Sequence, residues 1–363
     1  MKVIVFGGKG QMGQVLVWAF TNLGHEVIAV DADDTDLSIK TNIVKSLKLR
    51  PNGSFENTPY TPDFVMSALP YFLNEKVGST CIEHKVPYFD LGGHVGTSEL
   101  LNNLADSMKS IVCTDLGLAP GWVNIIAAHG VGTFSQDYSV VQSVDMAVGG
   151  IPSSAGCGVL GYKPSWSIAG LLNEYRDTCK VLQDGEIKDF DGLDGLQTWI
   201  INDLHGLELE AFYTSGGSHT TLDFCRERGI PNCAYRTLRW PGHRDIMKWM
   251  LDSNLDDDSL EKLINLYSDS AKFSGYDYLN MIVLVCTIKA VEKDGSTLTW
   301  QYTRRFFDDQ QFTSMQKGTA FPAAAAAHSI MKNPPTGPNS LSYDDVNWES
   351  FNNSLKLLDS SLV

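Results

Sequence analysis

Apolar runs and amphipathic stretches alternate along the first part of the chain. Residues 2–6 form an apolar run that leads into a glycine-rich turn. Apolar side chains then recur at spacings of three and four residues, at Met12, Val15, Leu16, Ala19 and Phe20. This spacing predicts a helix with one apolar face, which Gly24 can end, and residues 26–31 form a second apolar run directly after it.

The same alternation continues towards residue 121. Further strand candidates are residues 64–68, 88–91 and 110–113, and the segments between them are long enough for helices. Strands that alternate with helices in this way are typical of a doubly wound parallel sheet. We therefore predict an α/β protein whose first domain has this architecture.

Longer segments of alternating polarity follow after residue 121. They are residues 138–148, 207–214, 281–291 and 297–304. This alternation is typical of antiparallel strands with one buried face, so we predict a second, mainly antiparallel sheet. Near the C-terminus, Ala320, Phe321 and Pro322 lead into an Ala-rich helix that we expect to run through Met331.

Size and charge narrow the classes of function. A chain of 363 residues exceeds the size at which a single core usually divides, so two domains are expected. The formal net charge of -15 would repel a phosphate backbone, which argues against nucleic acid as a partner. The seven cysteines are scattered and predicted to be buried free thiols. No basic leader precedes the first strand and no apolar run is long enough to span a bilayer, so we expect a cytoplasmic protein without membrane contact.

The turn after the first strand carries the pattern Gly8-x-Gly10-x-x-Gly13. It opens a predicted helix, and Asp31 ends the next predicted strand eighteen residues after Gly13. This context is the dinucleotide-binding fingerprint, in which a carboxylate is expected roughly twenty residues further on. Gly8 is expected to allow the tight turn, Gly10 to leave room for a pyrophosphate at the helix amides, and Gly13 to let helix and strand pack closely.

The charges around Asp31 favour NAD over NADP as the cofactor. A carboxylate there accepts hydrogen bonds from the ribose hydroxyls but repels a 2′-phosphate, and Asp33 and Asp34 add to the repulsion. The pyrophosphate of the same cofactor is expected to contact Gln11 and Met12 in the glycine loop.

We expect the nicotinamide end of the cofactor to lie against two other loops. Ser67, Leu69 and Pro70 follow a predicted strand, at the carboxyl edge of the sheet where ligands of this architecture bind. Leu118 follows the last predicted strand of the domain and is expected on the same side. The alternative is a proline-terminated loop without ligand contact.

Five further segments carry a family resemblance, in the order GLAPGWVN, VGGIP, WSIAGLLNEY, AFYTSGG and LRWPGH. They are residues 117–124, 148–152, 166–175, 211–217 and 238–243. Together they resemble the saccharopine dehydrogenase family, and most closely its lysine 6-dehydrogenase members. Saccharopine-forming reductases are also similar, but they carry an acidic residue where this chain has Ala119.

The resemblance implies a domain order as well as a chemistry. We expect an NAD-binding Rossmann domain over residues 1–121, an inserted α+β substrate and dimerisation domain over residues 122–309, and a return to the Rossmann domain over residues 310–363. The implied reaction is NAD(P)-linked chemistry at a nitrogen-bearing carbon of an amino acid. The implied assembly is a homodimer or a higher homo-oligomer.

Oxidation of an amine by hydride transfer needs a general base. The candidate titratable residues are His243, Glu174 and Tyr175 in the resembling segments, and Asp115, which lies two residues before the first segment. Histidine is suited to the role by its ordinary pKa near 6.5. The alternative for His243 is a structural turn in which a backbone carbonyl accepts from the ring.

An amino-acid substrate also needs an anchor for its α-carboxylate. A guanidinium fork suits this role, and Arg239 is preferred over Arg236 and Arg176. The alternative for Arg239 is an ion pair. The polar or flexible positions that are further candidates for substrate binding are Asn124, Thr214, Gly216 and Gly217.

Three functions compete at this point. The leading hypothesis is NAD-dependent oxidative deamination of the lysine side chain to 2-aminoadipate semialdehyde. The second is a reductase of the same family that makes saccharopine or a carboxylated polyamine. The third is a catalytically silent dinucleotide sensor, because a nucleotide fingerprint predicts binding and not turnover. No His, Cys, Asp or Glu cluster has metal-ligand spacing, so no metal is expected.

Overall fold

The computed structural model describes residues 1–31, 44–48, 61–134, 139–156, 158–218, 220–268, 279–335 and 340–363, with the backbone alone for residues 44–48. Asp33, Asp34 and Cys157 lie outside these described residues. The chain forms two compact units. The first combines Met1–Ile125 with Gln316–Val363, and the second is Ile126–Met315. The chain passes from the first unit to the second after residue 125 and returns after residue 315, whereas the predicted domain boundaries follow residues 121 and 309.

Among the described residues, six parallel strands form the sheet of the first unit. They are β1 (Lys2–Phe6), β2 (Glu26–Asp31), β3 (Val44–Lys48), β4 (Phe64–Ser67), β5 (Tyr88–Asp90) and β6 (Val112–Cys113). Their order in the sheet is β3-β2-β1-β4-β5-β6, which is the strand order of a Rossmann fold. The predicted doubly wound parallel sheet is confirmed, and β3 is a strand that the apolar pattern did not predict.

Helices join these strands and cover the sheet. They are α1 (Gln11–Asn22), α2 (Tyr71–Glu83) and α3 (Val95–Met108). Helix α4 (Trp122–Phe134) follows β6, and the boundary between the two units lies within it, after Ile125. The strand residues Ile4, Ile28 and Val65 share one buried cluster with Leu101 of α3. Burial of this apolar surface fixes the strands, and the sheet then brings its loops to one edge.

In the described part of the second unit, eight strands form a mixed sheet. They are β7 (Val140–Pro152), β8 (Cys179–Gln183), β9 (Glu186–Phe190), β10 (Gln197–Ile201), β11 (Leu207–Phe212), β12 (Asn232–Arg239), β13 (Asn280–Val291) and β14 (Thr297–Phe307). Six of them follow the order β10-β11-β12-β7-β13-β14, while β8 pairs with β12 and β9. The pair of β12 with β7 is parallel and the other pairs are antiparallel. The predicted mainly antiparallel sheet is therefore confirmed.

One face of β11 and β12 lies towards helices of the second unit. These helices are α5 (Ile168–Arg176), α6 (Thr221–Glu227), α7 (His243–Leu251) and α8 (Asp257–Ser268). Phe212 of β11 packs in one cluster with Tyr175 of α5 and Met247 of α7. Phe212 pairs with Thr237, and alternation along β12 puts Arg239 on the same face.

Two C-terminal helices return the chain to the first unit, as the resemblance implies. They are α9 (Ser314–Lys332) and α10 (Trp348–Leu358). Helix α9 begins six residues before the predicted Ala320 and contains Pro322. The rings of Phe321 in α9 and Trp18 in α1 stack with centroids 5.3 Å apart.

The cysteine prediction is confirmed for the described part of the chain. Cys81, Cys113, Cys179, Cys225, Cys233 and Cys286 are free and buried. Among the described residues, no helix combines the length and the apolar character that crossing a membrane requires.

Candidate active site

The glycine loop of the first unit is packed so closely that two positions exclude a side chain. A Cβ on Gly13 would lie 1.9 Å from the carbonyl oxygen of Gly7, and one on Gly8 would lie 2.7 Å from Cβ of Ala29. The left-handed residue of the turn is Gly7, with φ of 71°. Gly8 was expected to supply the tight turn, but its observed role is close packing on β2, and Gly13 has the predicted packing role.

The N-terminus of α1 fits the pyrophosphate of a dinucleotide. The helix begins at Gln11, no side chain caps it, and its first turn carries no acidic residue. Gly10 is exposed, and a Cβ there would approach only the Gly7 carbonyl oxygen, at 3.2 Å. Gln11 is exposed and Met12 is half-buried. Backbone N–H groups at an uncapped helix start attract an anion, so these residues could hold a pyrophosphate.

Asp31 lies where the fingerprint requires a carboxylate. It ends β2, and its Oδ2 accepts a hydrogen bond from the backbone N–H of Lys9, at 3.0 Å. This bond ties the carboxylate to the glycine loop. The geometry is compatible with recognition of a ribose beside the pyrophosphate.

The second predicted cofactor loop follows β4. The Ser67 hydroxyl is buried, donates to Oδ1 of Asn74 at 2.7 Å and accepts from the Leu69 backbone N–H at 3.3 Å. Pro70 is exposed at the start of α2, and Leu118 is buried with 8% exposure. The Ser67 hydroxyl therefore shapes its own loop, whereas Pro70 is exposed and Leu69 is half-buried.

Asp115 belongs to a buried carboxyl pair in the first unit. Oδ1 of Asp90 accepts from the backbone N–H groups of Gly92, at 2.9 Å, and of Asp115, at 3.0 Å. Burial, together with the neighbouring Asp115, raises the pKa of Asp90 to about 7. Sequence reasoning missed Asp90, although an Asp at the carboxyl end of a parallel strand was an available signal. Asp115 lies in the other unit from Glu174, Tyr175 and His243.

Asn124 has a structural contact that the sequence did not indicate. It is fully buried in the first turn of α4, and its Oδ1 accepts from the backbone N–H of Gly121 at 2.8 Å. Its amide oxygen therefore holds the turn that begins α4. This corrects the expectation of a side chain that points a polar group at substrate.

A chain of buried hydrogen bonds crosses the second unit. Nε of Arg239 donates to the Tyr175 hydroxyl at 3.0 Å, and that hydroxyl lies 3.0 Å from Nε2 of His243. Nδ1 of His243 lies 3.0 Å from the carbonyl oxygen of Leu160. We name these residues, Arg239, Tyr175, His243 and Leu160, the arginine relay.

The hydrogen-bond acceptors in the arginine relay determine which atoms carry its hydrogens. The Leu160 carbonyl can only accept, so Nδ1 of His243 carries the hydrogen. Nε2 then accepts from the Tyr175 hydroxyl, which in turn accepts from Arg239. Burial, and then the charge of Arg239, lower the pKa of His243 to about 3, so the ring is neutral.

This geometry corrects two predicted catalytic roles. Both ring nitrogens of His243 are engaged and the residue is only 1% exposed, so it is poorly suited to take a proton from substrate. Burial raises the pKa of Tyr175, so its hydroxyl stays protonated as a hydrogen-bond donor. The alternative that a carbonyl holds the His243 ring is the one observed.

The three candidate anchors for a carboxylate have different environments. Nη1 of Arg236 pairs with Oδ1 of Asp145 at 2.9 Å, and Nη1 of Arg176 pairs with Oδ1 of Asp257 at 2.7 Å. Arg239 is 4% exposed, and within the described residues it bonds only Tyr175 and the Leu238 carbonyl, with no carboxylate in ion-pair distance. A buried guanidinium without an anion is costly, which favours a ligand that brings one.

Glu174 is half-buried near Arg239. Burial raises the pKa of its carboxyl to about 8, and the charge of Arg239 acts in the opposite direction. A carboxyl with such a pKa can exchange a proton near neutral pH. Of the predicted bases in the second unit, Glu174 is the one whose environment suits proton transfer.

The turn after β11 is built from the predicted residues Thr214, Gly216 and Gly217. The Thr214 hydroxyl bonds that of Thr237 at 2.8 Å, and a Cβ on Gly217 would lie 2.3 Å from the Tyr235 ring. Gly216 is exposed with φ of 87°. Thr214 and Gly217 therefore have packing roles, and Gly216 allows the turn.

Two residues of this region were missed by sequence reasoning. The Tyr162 ring centroid lies 4.9 Å from Cζ of Arg239, close enough for a cation–π contact. Glu210 of β11 accepts from the backbone N–H groups of Gly242, at 2.9 Å, and of Arg244, at 2.5 Å, and so caps α7 at His243. No local motif signals either role, because each residue contacts partners that are distant from it in sequence.

Comparison with known proteins identifies the family. A model of the saccharopine dehydrogenase C-terminal domain matches residues 117–360, which is more than half of the chain. The chain belongs to the saccharopine dehydrogenase family. The residues of this chain that match the family model include the whole arginine relay. The predicted family is thereby confirmed.

Curated relatives match about half of the chain. The mitochondrial alpha-aminoadipic semialdehyde synthase of Mus musculus is 28% identical over 53% of this chain and 21% of its own length. The saccharopine dehydrogenase (NADP(+), L-glutamate-forming) of Schizosaccharomyces pombe is 26% identical over 42% of this chain and 34% of its own length. The matches therefore span about a third or less of these relatives.

One solved structure has the same architecture. It is the apo saccharopine dehydrogenase (L-Glu forming) from Saccharomyces cerevisiae, with a TM-score of 0.76 and 18% identity, over 99% of this chain and 98% of that one. At this identity the likeness concerns the fold, and it agrees with the predicted Rossmann unit and second domain. Within the described residues, no group of three or more His, Cys, Asp or Glu side chains could hold a metal ion.

Proposed function

We propose that this protein is an NAD-dependent oxidoreductase that acts on the nitrogen-bearing carbon of an amino acid, by oxidative deamination of the lysine side chain. The observation that carries the proposal is Arg239, a buried guanidinium without a carboxylate partner among the described residues. The α-carboxylate of an amino acid would supply the missing anion. The dinucleotide fit of the first unit supports the redox class.

Each unit contributes part of the chemistry in this proposal. Gly10, Gln11 and Met12 would hold the pyrophosphate and Asp31 would accept from the ribose hydroxyls. A bound nicotinamide dinucleotide supplies the hydride acceptor. Glu174 would take the proton that the amine nitrogen loses, and water would then release ammonia to leave 2-aminoadipate semialdehyde.

The pairing of the three candidate arginines favours lysine over saccharopine. Saccharopine carries three carboxylates, whereas lysine carries one. Among the three arginines weighed as anchors, Arg236 and Arg176 are already paired with Asp145 and Asp257, and only Arg239 is available. A site with one available guanidinium suits a substrate with one carboxylate.

Saccharopine chemistry is the second candidate, because the relative from Schizosaccharomyces pombe is named a saccharopine dehydrogenase. Spectrophotometric assays discriminate the two. A mixture of lysine and NAD should form NADH. A mixture of 2-aminoadipate semialdehyde, glutamate and NADH should show no oxidation of NADH. The reverse result would favour the saccharopine reductase, and a diamine or polyamine precursor belongs in the same panel. Binding of NADH without turnover of any amine or imine would favour the dinucleotide sensor.

The role of Glu174 predicts a pH dependence. The carboxylate form is needed for proton transfer, so kcat/KM for lysine should rise as pH increases through about 8. Glu174→Gln should lower kcat/KM on the order of 100-fold and remove this rise. Stability should change in the opposite direction: the folded state retains a proton that the unfolded chain releases, so the free energy of unfolding falls as pH rises from about 4.5 to about 8. An unchanged activity profile in Glu174→Gln would assign the base elsewhere.

Asp31 predicts the cofactor preference. NAD should bind more tightly than NADP, because the carboxylate repels a 2′-phosphate. Asp31→Ser should narrow the preference by roughly 10-fold or more in the ratio of dissociation constants. Fluorescence titration with NADH and NADPH measures both values, and tighter binding of NADPH by the unaltered protein would contradict the assignment. The relative from Schizosaccharomyces pombe is named for NADP(+), which makes this test informative.

Assembly and location are further proposals. We propose a homodimer built through the second unit, which light scattering after size-exclusion chromatography tests directly. A cytoplasmic location is tested by fractionation of cells that express the full chain, and the mouse relative is named mitochondrial.

A further inference from the structure

The arginine relay fixes the orientation of a guanidinium from two sides. At one side, the Leu160 carbonyl accepts from Nδ1 of His243, and Nε2 accepts from the Tyr175 hydroxyl. The remaining lone pair of that hydroxyl accepts from Nε of Arg239. At the other side, Nη1 of Arg239 donates to the carbonyl of Leu238, at 2.9 Å.

These bonds also determine which part of the guanidinium is left for a ligand. The group is planar, so bonds at Nε and Nη1 define its plane. The Tyr162 ring lies beside the same group, 4.9 Å from Cζ. Within the described residues, the two hydrogen bonds of Arg239 come from Nε and Nη1, and neither comes from Nη2. The outer edge formed by Nη1 and Nη2 can still donate two hydrogen bonds to a carboxylate in a bidentate manner.

The His243 end of the relay has its own anchor. Glu210 bonds the backbone N–H groups of Gly242 and Arg244, on either side of His243. Glu210 is also paired with Arg239 in the sheet. The same strand therefore fixes the backbone at both ends of the relay.

We infer that Tyr175 and His243 are positioning residues that orient Arg239 for the carboxylate of the substrate. The inference rests on the proposed function, which assigns the carboxylate to Arg239. Neither residue transfers a proton to or from substrate in this reading. They should affect how tightly the amino acid binds and leave the chemical step unchanged.

Tyr175→Phe is the first test, because it removes only the hydroxyl at the centre of the relay. KM for the amino acid should rise roughly 10-fold, while kcat and the dissociation constant of NADH stay unchanged. Tyr213→Phe is the matched control, because the Tyr213 hydroxyl accepts from Nη2 of Arg236, at 3.2 Å, an arginine already paired with Asp145. That control should leave KM unchanged.

His243→Asn is the second test. Asn can still donate to the Leu160 carbonyl but is too short to accept from Tyr175, so KM should rise as in Tyr175→Phe and the pH profile of kcat should be unchanged. Circular dichroism and thermal unfolding establish that each variant is folded. A fall in kcat of more than about 100-fold at constant KM would instead make His243 a proton-transfer residue and overturn the inference.

A double variant tests whether Tyr175 acts through Arg239, separately from whether Arg239 binds the carboxylate. In an Arg239→Ala background, Tyr175→Phe should raise KM no further, because the two residues act as one unit. Multiplicative effects would overturn the relay while leaving Arg239 as the anchor. An Arg239→Ala protein with normal KM would overturn the proposed anchor, and the relay with it. If Arg239→Ala raised KM and Tyr175→Phe left KM unchanged, the positioning role of the relay would be overturned and Arg239 would remain the anchor.

Discussion

Arg239→Ala is expected to lower kcat/KM for the amino-acid substrate by roughly 30- to 1000-fold. Loss of a charge-assisted contact to the carboxylate should cost about 2 to 4 kcal/mol of transition-state binding. Arg239→Lys should recover little, because a point charge does not reproduce a planar fork held at Nε by Tyr175. Steady-state kinetics with NAD saturating measures both effects.

The fold should survive this substitution. Within the described residues, Arg239 has no carboxylate in an ion pair. Its removal therefore leaves no buried carboxylate without an ion-pair partner. The pKa of Glu174 should move further up, because Arg239 lowers it, and the rise of activity with pH should move above pH 8. Arg226→Ala, which removes an exposed guanidinium paired with Asp223, is the control and should leave kinetics unchanged. Near-normal kcat/KM in a folded Arg239→Ala protein would direct the search to Arg236.

Gly10→Ala and Gly13→Ala are expected to separate cofactor binding from folding. A Cβ on Gly10 would approach one backbone oxygen at 3.2 Å, so the loop should fold and NADH should bind on the order of 10- to 100-fold more weakly. A Cβ on Gly13 would lie 1.9 Å from the Gly7 carbonyl oxygen, which forces the backbone to move. Gly13→Ala should therefore destabilise the protein by about 3 kcal/mol and abolish NADH binding.

Gly24→Ala is the matched control for this pair. Gly24 has φ of 82°, but a Cβ there would contact nothing within 4 Å. It should cost about 1 kcal/mol of stability and leave NADH affinity unchanged. Thermal unfolding and NADH fluorescence titration measure the three variants. A stable Gly13→Ala protein with normal NADH affinity would contradict the packing argument, and unchanged NADH affinity in Gly10→Ala would contradict the pyrophosphate assignment.

The sequence by itself determined the first unit and the class of cofactor site. Residues 2–6 and 26–31 are apolar enough to be strands in any context, and the glycines between strand and helix need no distant residue to be recognised. The same local logic predicted the long strands β7, β13 and β14. It missed β12 and, among the shorter strands, β3, β8, β9 and β10. In such short segments periodicity is weak and pairing partners decide the conformation.

Tertiary structure alone decided the roles of the candidate site residues. His243 and Tyr175 were both candidates for catalysis from their chemistry, yet their protonation follows from Leu160, 83 residues before His243, and from Arg239. Arg239 and Arg236 lie three positions apart on one strand, and the sheet gives Asp145 to Arg236 and no carboxylate of the described residues to Arg239. Hydrogen-bond partners and burial set pKa values and available charges, and both depend on residues that only the folded chain brings together.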